Sequence, residues 1–183
     1  MAADKGVCSY DITHTLRASM LVALPFHGNR FVEGWQITGI VTANTGLPYN
    51  ISDGIDQVGY TSSGTPRPNY VGGCQVQVGH VNEWYNPLCF ALQTPGTFGN
   101  VGRDTGRGPN FGTTDIALLK DTKITEALRA QFRAEFFNIG NHQNLGLPAG
   151  AVFTTSGVNA AAGTITNIVG TARQIQFAVK LVF

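Results

Sequence analysis

The sequence predicts an all-β fold, an antiparallel meander of about five long strands that forms part of a large transmembrane β-barrel and is incomplete on its own. Three observations lead there. Five segments alternate apolar and polar residues with the period of a strand, and the connections between them alternate short and long. Charged residues make up only 13% of the 183-residue chain, about half of the ~25% usual for soluble domains.

The first segment is His14 to Leu24, where Leu16, Ala18, Met20, Val22 and Leu24 alternate with Thr15, Arg17, Ser19, Leu21 and Ala23. In the second, Trp35 to Asn44, the apolar set is Trp35, Ile37, Gly39, Val41 and Ala43, and the other face carries Gln36, Thr38, Ile40, Thr42 and Asn44. The third, Thr114 to Lys120, sets Ile116 and Leu118 opposite Asp115, Ala117 and Leu119.

The fourth, Leu128 to Asn138, has a serious helical rival, because Ala, Leu, Arg, Gln and Glu favour helices and Leu128, Phe132 and Phe136 are spaced by four. At about 100° per residue, Arg129, Gln131, Arg133 and Glu135 would fall at roughly 0°, 200°, 40° and 240°, on opposite sides of a helix. As a strand the same four line one face, and Leu128, Ala130, Phe132, Ala134 and Phe136 line the other. Alternation decides for a strand over propensity. In the fifth, Arg173 to Phe183, one face holds Ile175, Phe177, Val179, Leu181 and Phe183. The opposite face holds Gln174, Gln176, Ala178, Lys180 and Val182.

Short stretches around His27 to Gly34 and Asp121 to Ala127 join strands one to two and three to four. Long Gly/Pro/Ser/Asn-rich stretches, about 47–113 and 139–172, separate the other pairs. A meander sends successive connections to opposite ends, so all the short ones share one end, as brief periplasmic turns and long external loops do in outer-membrane barrels. Five strands fall short of closure, since the smallest bacterial barrels have ~8 strands. An open edge in lipid exposes unpaired backbone groups at several kcal/mol each, so further strands are expected from a longer polypeptide of which this chain is the C-terminal fragment.

A net charge of +1 argues against recruitment to nucleic acid or anionic lipid. The longest nearly uninterrupted apolar stretch, Met20 to Phe26, is far short of the ~20 residues of a transmembrane helix, whereas ~9–11 residues suffice for a spanning strand. Met1 to Cys8 lacks a basic start followed by an apolar run, so an export signal is expected upstream.

Several stretches together resemble Oar-like TonB-dependent outer-membrane receptors, whose members often carry a carboxypeptidase-regulatory-like domain. They are Asp11-Ile-Thr-His14-Thr-Leu16, Gly34-Trp35-Gln-Ile-Thr-Gly39-Ile, Thr45-Gly46-Leu-Pro48, Gly99-Asn-Val-Gly102-Arg103 and Arg107-Gly108-Pro109. The most specific are Gln131 to His142 and the ending Arg173 to Phe183. The resemblance covers nearly everything after Tyr10 and implies the last five strands of a far longer receptor, with a plug domain, TonB coupling and substrate uptake supplied by parts upstream. It also implies that Gln176, Ala178, Leu181 and Phe183 form the terminal signal read by the barrel-assembly machinery, with Ala178 where glycine is more usual. Strand augmentation is the physical basis of such a signal.

Within the first long stretch, Cys74 and Cys89 suit a disulfide in an oxidising exterior, while free thiols or pairing with Cys8 stay open. Tyr60, Tyr70, Trp84 and Tyr85 are candidates either to stack on a ligand or to pack the loop on itself. Arg103 and Arg107, in a Gly-rich run, are candidates for anion contact, against the blander reading of a turn-rich connection. Arg17, Gln36, Arg129, Gln131, Arg133, Glu135 and Lys180 suit a wet lumen. His14, His27, His80 and His142 sit in unrelated contexts without metal-ligand spacing, and no nucleophile motif appears, so neither a metal, a cofactor nor an enzyme is expected. The expected function is the barrel wall and external loops of a TonB-dependent transporter. The alternatives are a soluble secreted β-sandwich that binds carbohydrate and an adhesin-like structural protein of the outer membrane.

Overall fold

A computed structural model describes residues 6–59 and 66–183. Among these, regular structure is β throughout, apart from one 3-10 turn at Pro87–Cys89. Among the described residues no helix is long and apolar enough to cross a membrane. The chain divides into two compact units.

The first comprises His14–Asn44, Phe111–Asn144 and Gly170–Phe183. It holds a five-stranded sheet of β1 (Thr15–Ala23), β2 (Trp35–Asn44), β3 (Phe111–Lys123), β4 (Arg129–Phe137) and β5 (Gln174–Val182). Each strand pairs antiparallel with the next in that order, and among the described residues β1 and β5 are left as open edges. Residues Arg129–Phe137 form a strand, as the alternation requires, despite their helical propensity.

The third strand is longer than the expected Thr114–Lys120. It runs for 13 residues because its flanks, which show no alternation of their own, find ladder partners: Phe111 opposite Asn44 and Lys123 opposite Arg129. Neighbouring strands, not local pattern, extend it.

The register sorts side chains cleanly, because directly paired residues share a face. Leu16 lies opposite Ala43, Met20 opposite Gly39 and Ile37 opposite Leu118. Phe132 lies opposite Val179, and Ala134 is flanked by Leu118 and Phe177. One apolar face thus runs across all five strands. The other carries Arg17 opposite Thr42, Gln131 between Asp121 and Lys180, and Glu135 opposite Gln176. Both short turns, 24–34 and 124–128, close the same end of the sheet.

The second unit comprises the residues up to Thr13, Thr45–Asn110 and Leu145–Val169. Most of the two long connections expected from the sequence folds together as one body. Its nucleus combines Tyr49, Ile51, Tyr85, Cys89, Phe90 and Val101 from the first stretch with Val152, Phe153 and Ala162 from the second. Backbone bonds join the two, among them Val152 N–H to Ser52 O at 2.9 Å and Trp84 N–H to Gly163 O at 2.8 Å.

Two motifs singled out in the sequence meet in this unit. Pro48 pairs with Arg107 and Tyr49 with Gly106. Gly46 is obligatory at the approach, since a Cβ there would fall 1.8 Å from the Gly108 carbonyl oxygen.

Candidate functional site

The sheet's apolar face is open rather than packed. Phe177 is 67% exposed and Val179 69% exposed, and Leu16, Met20, Ile175 and Leu181 are exposed too. Phe132 stacks on Phe177 with ring centroids 6.2 Å apart. A soluble sandwich buries such a face against a second sheet at core density. A contiguous apolar surface of this kind, backed by a polar face, is at equilibrium against hydrocarbon.

The exception on the apolar face is Lys120, which lies opposite Phe132 and Trp35. It is 7% exposed, and its ammonium donates to the carbonyl oxygens of Arg30, Glu33 and Asp121. The charge also stands over the Trp35 ring, 5.8 Å from the centroid. Lys120 therefore pins the β1–β2 turn to the end of β3, with its charge met by three carbonyls. Lys120→Met is expected to cost about 1–2 kcal/mol by leaving those carbonyls without a donor, measured by guanidinium unfolding in lipid vesicles.

At the opposite end of the sheet, an asparagine closes the chain reversal after β4. Asn138 adopts φ +48°, a conformation asparagine tolerates better than most residues. Its amide donates to the carbonyls of His142 and Thr171, each at 3.0 Å, and its Oδ1 accepts from the His142 N–H. Its own N–H donates to Asp115 Oδ1 at 2.8 Å. Beside it, Asn144 makes a two-way amide pair with the backbone of Gly112.

The remaining candidates lie in the second unit, and Tyr60 lies outside the described residues. Tyr85 is 0% exposed, so it belongs to the core and offers no surface to a ligand. Its hydroxyl donates to the Ala149 carbonyl at 2.9 Å, and burial pushes its pKa up to about 12. Trp84 is half-buried and its indole donates to Arg107 O at 2.7 Å. Tyr70 stays partly exposed, with its hydroxyl on the Cys74 carbonyl.

Arg107 is engaged. It pairs with Asp11 Oδ2 at 2.6 Å and donates to the carbonyls of Asp11 and Gly46. A guanidinium already holding a carboxylate is a tie between chain segments, not an anion receptor. Arg103 is exposed and bridges to Gly6 through its backbone, whereas the Arg107 guanidinium is held by Asp11.

Cys74 and Cys89 form a disulfide, and Cys8 is free and exposed. Of the terminal residues, Gln176 and Ala178 occupy the polar face opposite Glu135 and Arg133, whereas Leu181 lies on the apolar face opposite Ala130. Phe183 is almost fully exposed. Among the described residues no group of three or more His, Cys, Asp or Glu side chains gathers as a metal site.

One buried acid escaped the sequence reading. Asp53 is fully buried and accepts from Gln93 Nε2 at 2.6 Å, while its Oδ1 and the Gln93 Oε1 have no partner. Burial raises its pKa, and the Gln93 bond offsets part of the rise. With the folded value above the unfolded one, the stabilisation is complete below the ordinary carboxylate range and is lost as pH rises through the raised value. Asp53→Asn, which gives Gln93 both a donor and an acceptor, is expected to flatten the pH dependence of melting and to stabilise this unit at neutral pH. Thermal melts at about pH 4 and about pH 7 check this.

The open-faced sheet, polar on its reverse and joined by short turns at one end, defines a membrane protein of the β-barrel class. A family model described as an outer membrane beta barrel domain matches residues 1–176. The chain belongs to that family and is an outer-membrane protein. No curated protein and no solved structure matches it.

Proposed function

We propose that the chain is the barrel-wall and external-loop segment of a TonB-dependent receptor that takes up a substrate across the outer membrane. The observation that carries this is a meander with two unpaired edges, β1 and β5. Such edges in a membrane demand partner strands, and the parent receptor's remaining strands are the simplest supply. Residues of the second unit then act as external loops in ligand contact, without catalysis. The polar face, with Arg17, Gln131, Arg133 and Lys180, meets the plug.

Two experiments separate the levels of this reading. Cysteines placed on the outer edges of β1 and β5 are expected to cross-link, in native outer membranes, to strands other than these five. Cross-linking of β1 directly to β5 would overturn the large-barrel reading. The detergent-solubilised assembly is expected to be retained on an immobilised periplasmic domain of TonB. Lack of retention would remove the transport role while leaving the wall role intact.

A further inference from the structure

The second unit contains a cavity of about 430 Å³, within the range of small-molecule sites. We propose that this cavity binds a neutral, mainly apolar small molecule with an aromatic or cyclic body and one polar group that pairs with the Tyr49 hydroxyl. The inference is independent of TonB coupling.

The walls specify the body of the ligand. Ile51, Val76, Phe90 and Val101 supply apolar surface, and Tyr70 adds a ring tilted against Phe90 with centroids 6.4 Å apart. Among the described residues no Asp, Glu, Lys, Arg or His lines the cavity. A charged ligand would lose its hydration without a counter-charge, a cost of several kcal/mol or more, so the site selects neutral molecules.

Tyr49 specifies the polar group. Its side chain lines the cavity while being only 6% exposed, and its hydroxyl has no hydrogen-bond partner among the described residues. The other two tyrosines of this region do have partners: Tyr70 donates to Cys74 O and Tyr85 to Ala149 O. A phenol that lines a cavity and is not taken up by the protein is placed to pair with a polar group of a ligand. Burial holds the Tyr49 phenol neutral well beyond the ordinary range, so it stays a donor at any physiological pH.

The ring is fixed for this task. It lies 6.0 Å from Tyr85 between centroids, and Gly106 leaves it room, since a Cβ there would come within 2.5 Å of the ring. The Cys74–Cys89 disulfide ties together the segments bearing Tyr70, Val76 and Phe90. The walls are therefore preformed, which lowers the entropy cost of binding. The Gln77 and Asn100 amides provide secondary polar contacts.

The test uses the full chain in lipid nanodiscs, labelled with 3-fluorotyrosine and followed by fluorine NMR. Tyr49→Phe assigns the Tyr49 signal. The probes are 4-methylphenol, indole and benzamide, with 4-methylbenzoate and 4-methylbenzylammonium as charged counterparts. At least one neutral probe is expected to shift the Tyr49 and Tyr70 signals saturably and to leave Tyr10 unmoved, while the charged probes give no saturable shift.

Tyr49→Phe is expected to weaken binding about fivefold, read on the Tyr70 signal, as loss of one hydrogen bond. Thr105→Trp, at the cavity wall, is expected to abolish the shift; an unchanged Tyr85 signal reports an intact core. Absence of a saturable shift with all three neutral probes overturns the proposal. So does equal binding of a charged probe, or undiminished affinity in the Tyr49→Phe variant.

Discussion

Val179→Arg is expected to lower the stability of the protein in lipid vesicles by about 2–4 kcal/mol, the cost of placing arginine on the hydrocarbon side near the bilayer midplane. Val179 sits near the middle of β5, opposite Phe132 on the apolar face, with its side chain open to the surroundings. An arginine there must stay in lipid or bend to the interface. Gln176→Arg is the matched control, three residues away on the polar face and opposite Glu135. It is expected to stay within about 0.5 kcal/mol of the parent. Guanidinium midpoints of the three proteins decide the matter, and similar midpoints for both variants would contradict a lipid-facing surface at Val179.

Replacing both Cys74 and Cys89 with serine is expected to cost about 3 kcal/mol, because the bridge closes a loop with a sequence separation of 15. The loss should be confined to the second unit, where Cys89 is buried beside Phe90 and Val101. Hydrogen exchange is expected to accelerate across residues 45–110 and 145–169 while the β-sheet amides stay protected. Cys8→Ser, which removes the free exposed thiol, should change neither. Uniform acceleration in the sheet would show that the two units unfold as one.

The sheet was legible in the sequence because a membrane wall imposes the strictest pattern a strand can carry, with lipid on one side and water on the other. Arg129–Phe137 shows how far that pattern outranks propensity: good helix formers lie in a strand because only a strand puts Arg129, Gln131, Arg133 and Glu135 on one face. The pattern failed at the ends of β3, where Phe111–Thr113 and Asp121–Lys123 are held by their neighbours' backbones. Lys120 has the parity of a lipid-facing residue, and only the arrangement of Arg30, Glu33 and Asp121 around it explains its charge.

The second unit was opaque for the opposite reason. Its paired strands are two to four residues long, too short for any period to register. Its core joins residues as distant as Tyr49 and Ala162. Composition marked the stretch as turn-rich, and the Thr-Gly-Leu-Pro and Arg-Gly-Pro motifs stood out for their family resemblance, but their meeting at Gly46 and Gly108 is a tertiary fact. Asp53 and Gln93 are separated by 40 residues, and no local signal announces their burial.

A nucleus drawn from both long connections has an evolutionary consequence. Val152 and Phe153 complete the packing around Tyr49 and Tyr85, so neither connection can be shortened, exchanged or grafted onto another scaffold without unravelling its companion. Diversification of this surface must proceed by paired changes in the two stretches, or be restricted to solvent-facing positions such as Leu88 and Phe98.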